Sequence, residues 1–156
     1  MMDAEKAGRL RSFLAAHTTL TLATVAPDGL PWAVSLFYAE GSDLSLYFAS
    51  EETVRHSQNL RANPGVSATI AGDGQPWQKI HGLQLAGKCR LLENSERDPA
   101  WEIYAAKFPF VRESEMLAQR LRQGGFYRIS PAWIRLIDNR REFGFKEELL
   151  LSDPPG

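Results

Sequence analysis

The sequence predicts an α+β domain whose antiparallel β-sheet closes into a complete or a split barrel. Roughly six or seven segments alternate apolar with polar or small residues, the period of two that is typical of strands. Short turns join the early strands, which favours antiparallel pairing, and the longer helices follow in the second half of the chain. Gly82 and Gly87 lie inside the longest predicted strand, where a bulge, a barrel bend or a close ligand would need glycine.

A first helix is predicted at the N-terminus. Asp3 can cap its first turn, because its side chain can accept hydrogen bonds from the free N–H groups there. Leu10, Phe13 and Leu14 recur at helical spacing and predict the buried face.

The next segments predict three consecutive strands. The first is the stretch TLTLATVA from Thr18, and the second runs from Pro31 to Ala39 after the turn Pro27-Asp28-Gly29. The turn at residues 40–43 leads into a third strand that begins at Leu44. Because the turns are short, we expect an antiparallel meander.

A short helix should follow the third strand directly. Ser50 stands where an N-cap residue belongs, with Glu51 and Glu52 in the first turn. Asn63-Pro64-Gly65 ends this helix, because proline disfavours helical geometry at the residue before it.

Strands and helices share the rest of the chain. The predicted strands are Val66–Ala71, Trp77–Leu92, Phe126–Ile129 and Ala132–Ile137, the last two separated by Pro131. The predicted helices begin at Asp98-Pro99 and at Arg112, with a packed corner at Lys107-Phe108-Pro109-Phe110 between them. The second helix ends at Gln123, with Met116, Leu117 and Leu121 expected to face inward. Residues 152–156, SDPPG, are expected to be frayed.

Composition limits the classes of function. The chain has 156 residues, 18 basic and 19 acidic, for a net charge of −1, which argues against bulk nucleic acid or an anionic membrane as partner. The one cysteine, Cys89, lies in an alternating strand and is expected to be a packed thiol. There is no signal-peptide pattern and no run long enough to span a membrane, so we expect a cytoplasmic protein.

The common catalytic motifs are absent from the sequence. It contains no G-x-S-x-G elbow, no P-loop and no G-x-G-x-x-G after a strand. His17, His56 and His81 are scattered singly, so no metal site is predicted. Any chemistry is therefore expected to come from an organic cofactor.

The start of the short helix predicts either an anion-binding site or a plain capped helix. A helix N-terminus presents unpaired N–H groups and a partial positive charge. Two hydroxyls and two basic side chains accompany it here, namely Ser50, Thr53, Arg55 and His56. We expect Arg55 and His56 to remain reachable by solvent or ligand. In the alternative, Ser50 only caps the helix and Arg55 only solvates its face, and Glu51 and Glu52 favour that alternative.

Four stretches resemble, in the same order, the flavin-binding split-barrel family related to pyridoxamine 5′-phosphate oxidase. They are TLTLATVAPDGLPWAVSLFYA, LYFASEETVRHSQNLRANPGVSATI, IHGLQLAGKCRLL and FYRISPAWIRLIDNRREFGFKEEL. The resemblance implies a six-stranded split barrel formed by a single domain over residues 1–156. It also implies a homodimer that holds two FMN molecules in clefts between its subunits.

The same resemblance implies the cofactor contacts. Ser50, Thr53, Arg55 and His56 match the phosphate-binding segment, and His56 falls where many relatives carry lysine, so its charge would depend on pH. The ring and ribityl contacts are expected from Val34, Ser35, Leu36, Lys79 and Gln84, and a flavin or substrate contact, including one across the dimer, from Arg141. The structural alternative is that Ser35 and Gln84 face solvent or a neighbouring strand and that Arg141 is a surface charge.

The function implied is an FMN-dependent oxidoreductase with an unknown small substrate. The second predicted strand, PWAVSLFYA, lacks the basic residues of the oxidase proper, and the ending LLSDPPG lacks its Arg-Leu-x-Pro pattern. Oxidation of pyridoxamine phosphate itself is therefore not expected, and no catalytic residue is assigned. The alternative is a binding protein without turnover for flavin, haem or a related planar cofactor, and a third is a dimeric scaffold whose cleft is empty.

Overall fold

Eight β-strands form one antiparallel sheet flanked by five α-helices in the computed structural model, which describes residues 3–151. The helices are α1 (Ala4–Ala16), α2 (Arg55–Ala62), α3 (Arg97–Lys107), α4 (Phe110–Glu113) and α5 (Glu115–Gln123). The strands are β1 (Thr19–Val25), β2 (Pro31–Phe37), β3 (Ala39–Glu40), β4 (Leu46–Ser50), β5 (Gly65–Ala71), β6 (His81–Leu91), β7 (Gly125–Asp138) and β8 (Lys146–Leu150). The α+β class and the split-barrel sheet with flanking helices are confirmed. The expectation for residues 152–156 lies outside the described residues.

The sheet curls until its two edges meet. Its strand order is β2-β1-β5-β6-β7-β4-β3, so β2 and β3 lie at opposite ends, yet Tyr38 alone separates them in the chain. The Tyr38 side chain is fully buried, and its hydroxyl donates to the carbonyl oxygen of Leu14 at 2.7 Å. The predicted three-strand meander is therefore wrong: β2 pairs with β1, whereas β4 pairs with β3 and β7.

A β-bulge interrupts the pairing of β6 with β7, the two strands near the middle of the sheet. Gly87 pairs with Pro131 while Ala86 pairs with Trp133, which leaves Ala132 as the extra residue. A Cβ atom on Gly87 would lie 2.2 Å from the carbonyl oxygen of Ser130, so only glycine fits. The bulge is one of the alternatives predicted for Gly87, and it also allows Pro131 to sit inside β7, which is one unbroken strand instead of the predicted two.

Several helix and strand boundaries in the structure differ from the predicted ones. Residues 77–79 form a 3₁₀ turn, so β6 begins at His81 instead of Trp77. The predicted helix over 112–123 is broken at Ser114, whose hydroxyl caps α5 by accepting from the Leu117 N–H at 3.3 Å. Met116 is 79% exposed, so the expectation that it faces inward is wrong. Strand β8, which the sequence patterns did not reveal, pairs with β7.

Two apolar clusters fill the fold. The larger lies inside the curled sheet and includes Leu10, Phe13 and Leu14 of α1, as their spacing predicted. The smaller packs α3 against the sheet and contains Trp101 and Tyr104. Asp3 accepts from the N–H groups of Glu5 and Lys6, which confirms the predicted cap of α1.

Strand β1 connects the two ends of the barrel. Its first residue follows closely on α1, whereas Thr24 near its other end accepts a hydrogen bond from Asn59 of α2 at 3.1 Å. Seven residues of strand span about 20 Å. We call these the α1 end and the α2 end. Cys89 lies buried in the sheet, as expected, and burial raises the pKa of its thiol.

Between Asp3 and Leu151, the structure has no helix long and apolar enough to cross a membrane.

Candidate functional site

The α2 end carries an open cleft of about 460 Å³ between the β1–β2 turn and the first turns of α2. Its lining residues are Ala26, Pro27, Asp28, Arg55, Gln58 and Asn59. The turn is held by the N–H of Gly29, which donates to the carbonyl of Ala26 at 2.8 Å. Gly29 has a φ of +87°, a conformation that glycine adopts without strain.

The start of α2 differs from the prediction. The helix begins at Arg55, and the N-cap residue is Val54, which provides no side-chain hydrogen bond to the first turn. There is no acidic residue in that turn. The N-terminal N–H groups and the positive end of the helix dipole are therefore not neutralised by a capping side chain. Ser50 is the last residue of β4, paired with Gly125, so its predicted role as N-cap is wrong.

Ser50 and His56 contact each other instead. The Ser50 hydroxyl lies 2.7 Å from Nε2 of His56, and the imidazole is only 6% exposed. The expectation that His56 remains reachable by solvent is wrong. Burial lowers the pKa of His56, because the protonated ring is poorly solvated there. The imidazole therefore adds no positive charge to the α2 end at neutral pH.

Arg55 is the exposed cation of the cleft. Its guanidinium carbon lies 4.8 Å from the centroid of the Trp32 ring on β2, within the range of a cation–π contact. Within residues 3–151 Arg55 forms no ion pair with a carboxylate. Thr53, also exposed, precedes the helix, and its carbonyl accepts from Nε2 of Gln58 at 2.8 Å.

Three acidic residues lie near this site. Among residues 3–151, Asp28, which lines the cleft, accepts only the Leu30 N–H, at 3.1 Å, whereas Glu51 and Glu52 are bound by arginines. Glu51 contacts Arg120 at 3.3 Å, and Glu52 contacts Arg61 at 3.5 Å. These two carboxylates would oppose a bound phosphate, and their partners partly offset that repulsion.

The β2 residues lie beside Trp32 on an edge strand. Val34 and Leu36 are half-buried and pack against the core, whereas Ser35 is exposed. Gln84 lies in the same cross-strand row as Ser35, because Ser35, Thr21, Thr69 and Gln84 are successive partners across β2, β1, β5 and β6. Three strand spacings separate Ser35 from Gln84 by about 14 Å.

Lys79 and Arg141 lie at the α1 end. Lys79 belongs to the 3₁₀ turn and not to the long strand, which corrects the prediction of its place. Arg141 lies in the β7–β8 loop, its guanidinium 4.8 Å from the ring centroid of Phe145. This loop contacts the turn through Asn139, whose Nδ2 donates to the carbonyl of Trp77 at 2.9 Å. Within this chain, the residues predicted to contact one cofactor are thus divided between the two ends of the barrel.

The residues that the sequence patterns missed are Trp32, Asp28 and Asn59. Trp32 and Arg55 are far apart in the chain, so no local pattern could show their contact. Asn59 is buried at the α2 end by its bond to Thr24, and only its position one turn after Arg55 hinted at this face. No cluster of three or more His, Cys, Asp or Glu that could hold a metal is found among residues 3–151.

Comparison with known proteins finds similarity over most of the chain. The family described as "Pyridoxamine 5'-phosphate oxidase" matches residues 7–138. A UPF0306 protein of Citrobacter koseri is 30% identical over 135 residues, which cover 82% of this chain and 83% of that relative.

Solved structures share the fold. A conserved hypothetical protein of Mycobacterium tuberculosis has a TM-score of 0.72 and 24% identity, covering 90% of this chain and 87% of that one. A haem-binding protein of Mycobacterium smegmatis has a TM-score of 0.75 and 18% identity, covering 96% of this chain and 60% of that one.

Proposed function

The chain belongs to the pyridoxamine 5′-phosphate oxidase family, and from this membership we propose that it binds flavin mononucleotide and acts as an oxidoreductase on a small substrate. The observation that carries the proposal is the start of α2, where an uncapped helix N-terminus and an unpaired Arg55 face the same open cleft. A terminal phosphate suits such a place, because it needs several N–H donors and a positive charge.

The residues at the α2 end fit a phosphate group. Arg55 supplies a forked, permanently charged donor, and the Trp32 ring holds its guanidinium close to β2. The hydroxyl of Thr53 is exposed next to the helix start. Ser50 and His56 contribute as a neutral hydrogen-bonded pair, not as an additional cation.

The ring of the flavin would lie along β2. Val34, Ser35 and Leu36 run beside Trp32 on an edge strand whose outer side has no neighbouring strand among residues 3–151. Leu30, Trp32 and Phe37 are 54%, 40% and 52% exposed, so large apolar side chains are exposed on and beside this strand. We propose that a second copy covers this edge, so that the cofactor lies between two subunits. Contacts from Lys79 or Gln84 to that flavin would then come from the partner.

When bound, the flavin supplies the hydride and electron chemistry. The protein side chains bind the phosphate, orient the ring against β2 and limit the access of water to it. We assign no proton-transfer group: burial lowers the pKa of His56, Glu51 and Glu52 are in ion pairs, and Asp28 accepts from the Leu30 N–H at 3.1 Å in the β1–β2 turn. We also propose the cytoplasm as the compartment, which suits a single free thiol.

A second candidate function is storage or transport of a planar cofactor without turnover. The haem-binding protein of Mycobacterium smegmatis, with its TM-score of 0.75, shows that this fold is compatible with haem. Flavin remains the better proposal, because Arg55 and the free helix start suit one terminal phosphate.

The phosphate contact is tested by replacing Arg55 with alanine. Affinity for FMN should fall by about 10- to 100-fold, since a charged hydrogen bond contributes roughly 1.5–3 kcal/mol. Affinity for riboflavin, which lacks the phosphate, should not change. Both affinities can be measured by quenching of flavin fluorescence, with Arg112→Ala as the control, because Arg112 pairs with Glu102 on the exposed surface.

Equal losses for FMN and riboflavin would mean that Arg55 acts through folding, and an unchanged FMN affinity would contradict the phosphate site. Turnover is tested separately on the flavin-loaded protein. Anaerobic bleaching by a nicotinamide donor, followed by recovery of the flavin spectrum in air, supports an oxidoreductase. A protein that binds FMN but resists reduction would be a carrier, and a Soret band on titration with hemin, without FMN binding, would favour haem.

A further inference from the structure

A second cleft lies at the α1 end, on the far side of the barrel from Arg55. It encloses about 660 Å³ between one face of α1, the end of β7 and the β7–β8 loop. Its lining residues are Gly8, Arg9, Ser12, Phe13, Ala16, His17, His81, Leu136, Asp138, Arg140 and Arg141. Volumes of this order suit small organic ligands.

Helix α1 presents two different stripes to this cleft. Gly8, Ser12 and Ala16 recur every four residues and leave room, and nothing lies within 4 Å of where a Cβ on Gly8 would stand. The adjacent stripe carries Arg9 and Phe13, and it continues to His17 just beyond the helix. The small side chains of the first stripe therefore leave the cleft open, and the second stripe provides charged and aromatic side chains to line it.

His17 and His81 of this cleft each bond a backbone carbonyl oxygen through Nδ1 of the imidazole. Nδ1 of His17 lies 2.8 Å from the carbonyl oxygen of Phe13, and Nδ1 of His81 lies 2.9 Å from that of Lys79. A carbonyl oxygen only accepts, so each Nδ1 carries a proton and Nε2 is the nitrogen left for another partner. The ring centroids of His17 and His81 are 5.7 Å apart, and both contact Phe13.

Most other charges in and around the cleft are already paired. Asp138 accepts from Arg140 at 2.7 and 2.8 Å, and Arg9 is bound by Glu147 and Glu5. Arg141 contacts the Phe145 ring and, within the described residues, is in no ion pair. The cleft thus keeps one unmatched cation, two free imidazole nitrogens and an apolar wall of Phe13 and Leu136.

We propose that this cleft is a second binding site, which takes a small organic anion with a flat apolar body. The apolar body lies against Phe13 and Leu136, the carboxylate accepts from the Arg141 guanidinium, and the two imidazoles lie beside the bound molecule. A carboxylate suits this cleft because the Arg141 guanidinium is a charged, forked donor, whereas Nε2 of a neutral imidazole whose Nδ1 carries the proton accepts hydrogen bonds. This site is independent of the flavin proposal, since β1 separates the two clefts by about 20 Å.

The histidines allow a direct test, with 2-naphthoate as the probe. The chain has three histidines, of which His17 and His81 line this cleft and His56 lies at the α2 end. In a carbon–proton NMR spectrum of the labelled full chain, naphthoate should shift the imidazole signals of His17 and His81 saturably and leave that of His56 in place. The neutral analogue 2-naphthalenemethanol should bind at least about tenfold more weakly.

Two variants, each with a control, test separately the positive charge of Arg141 and the open volume beside Gly8. Arg141→Gln should weaken naphthoate about tenfold or more, whereas Arg112→Gln, at an exposed surface pair, should not. Gly8→Leu should block the cleft with its side chain and abolish the shifts, while Gly8→Ala, which adds one methyl, should retain most of the binding. Leucine has a higher intrinsic helix propensity than glycine, so loss of binding by Gly8→Leu would not reflect unfolding of α1.

Several outcomes would overturn the proposal. These are equal shifts at all three histidines, equal affinity for the neutral analogue, and full binding by Arg141→Gln or Gly8→Leu. Competition by FMN would show that the cleft belongs to the flavin site, and shifts that depend only on protein concentration would show that a second copy fills it.

Discussion

At the scale of single residues, Ser50 and His56 show how tertiary contacts change the role that a motif suggests. The family resemblance predicts that both residues contact the cofactor phosphate, and the alternative is that Ser50 only caps the helix. In the structure they satisfy each other at 2.7 Å, and the buried ring is held neutral. Arg55, one residue away, keeps the charge because it lies on the exposed side of the helix.

Replacement of His56 by glutamine tests the neutral, buried state. The folded-state pKa of His56 is below its unfolded value of about 6.5, so below that pH the unfolded chain binds more protons. The free energy of unfolding should therefore fall as the pH is lowered through about 6.5, by at most about 1.4 kcal/mol per pH unit from this group. His56→Gln, which can still bond Ser50, should lack this component.

Urea titrations of both proteins between pH 8 and pH 5 measure the difference. Other titrating groups contribute equally to the two proteins, so they cancel in the comparison. Parallel stability curves would contradict a depressed pKa at His56.

At the scale of elements, the helices differ in how firmly they are held. Helix α1 buries three large apolar side chains, and its last turn is anchored through Leu14, whose carbonyl accepts from Tyr38 and from Lys107. Helix α5 has no buried residue. Its C-terminal end is held by Arg97, which donates to the carbonyl of Gly124 at 2.7 Å. Local opening should therefore begin at α5.

Hydrogen exchange can rank these elements. The amides of α5 should exchange at least about tenfold faster than those of residues 82–88 of β6, which are paired with strands on both sides. Arg97→Ala should accelerate exchange in residues 120–124, because the last carbonyls of the helix lose their donor. Arg61→Ala on α2 serves as the control. Protection of α5 equal to that of β6 would contradict this ranking.

At the scale of the whole molecule, the curled sheet separates two clefts that differ in chemistry. The α2 end offers a helix start and one exposed arginine, beside an apolar edge strand. The α1 end offers two imidazoles, an arginine and an aromatic wall. Strand β1 runs from the α1 end to the α2 end, so the two clefts lie at opposite ends of the same strand.

The proposed homodimer belongs to this scale. Leu30, Trp32 and Phe37 expose apolar surface on and beside one edge strand, so we expect light scattering to give twice the chain mass at micromolar concentration. Phe37→Arg should shift the protein toward monomer, because an unpaired charge would then be buried at the interface. Lys88→Arg, at an exposed position of β6, is the control. A wild-type monomer would contradict a cofactor cleft between subunits.

The sequence by itself determined which residues alternate, where α1 is capped and where the sheet needs a glycine, because these depend on neighbours within a few residues. It also identified the family and Arg55 as an exposed cation at a helix start. Only the tertiary structure decided that β2 pairs with β1 while β4 pairs with β3 and β7, that His56 is buried, and that three distant segments enclose the α1-end cleft. The physical reason is that side-chain periodicity encodes which face of an element is buried, whereas partners and charge states depend on contacts between segments far apart in the chain.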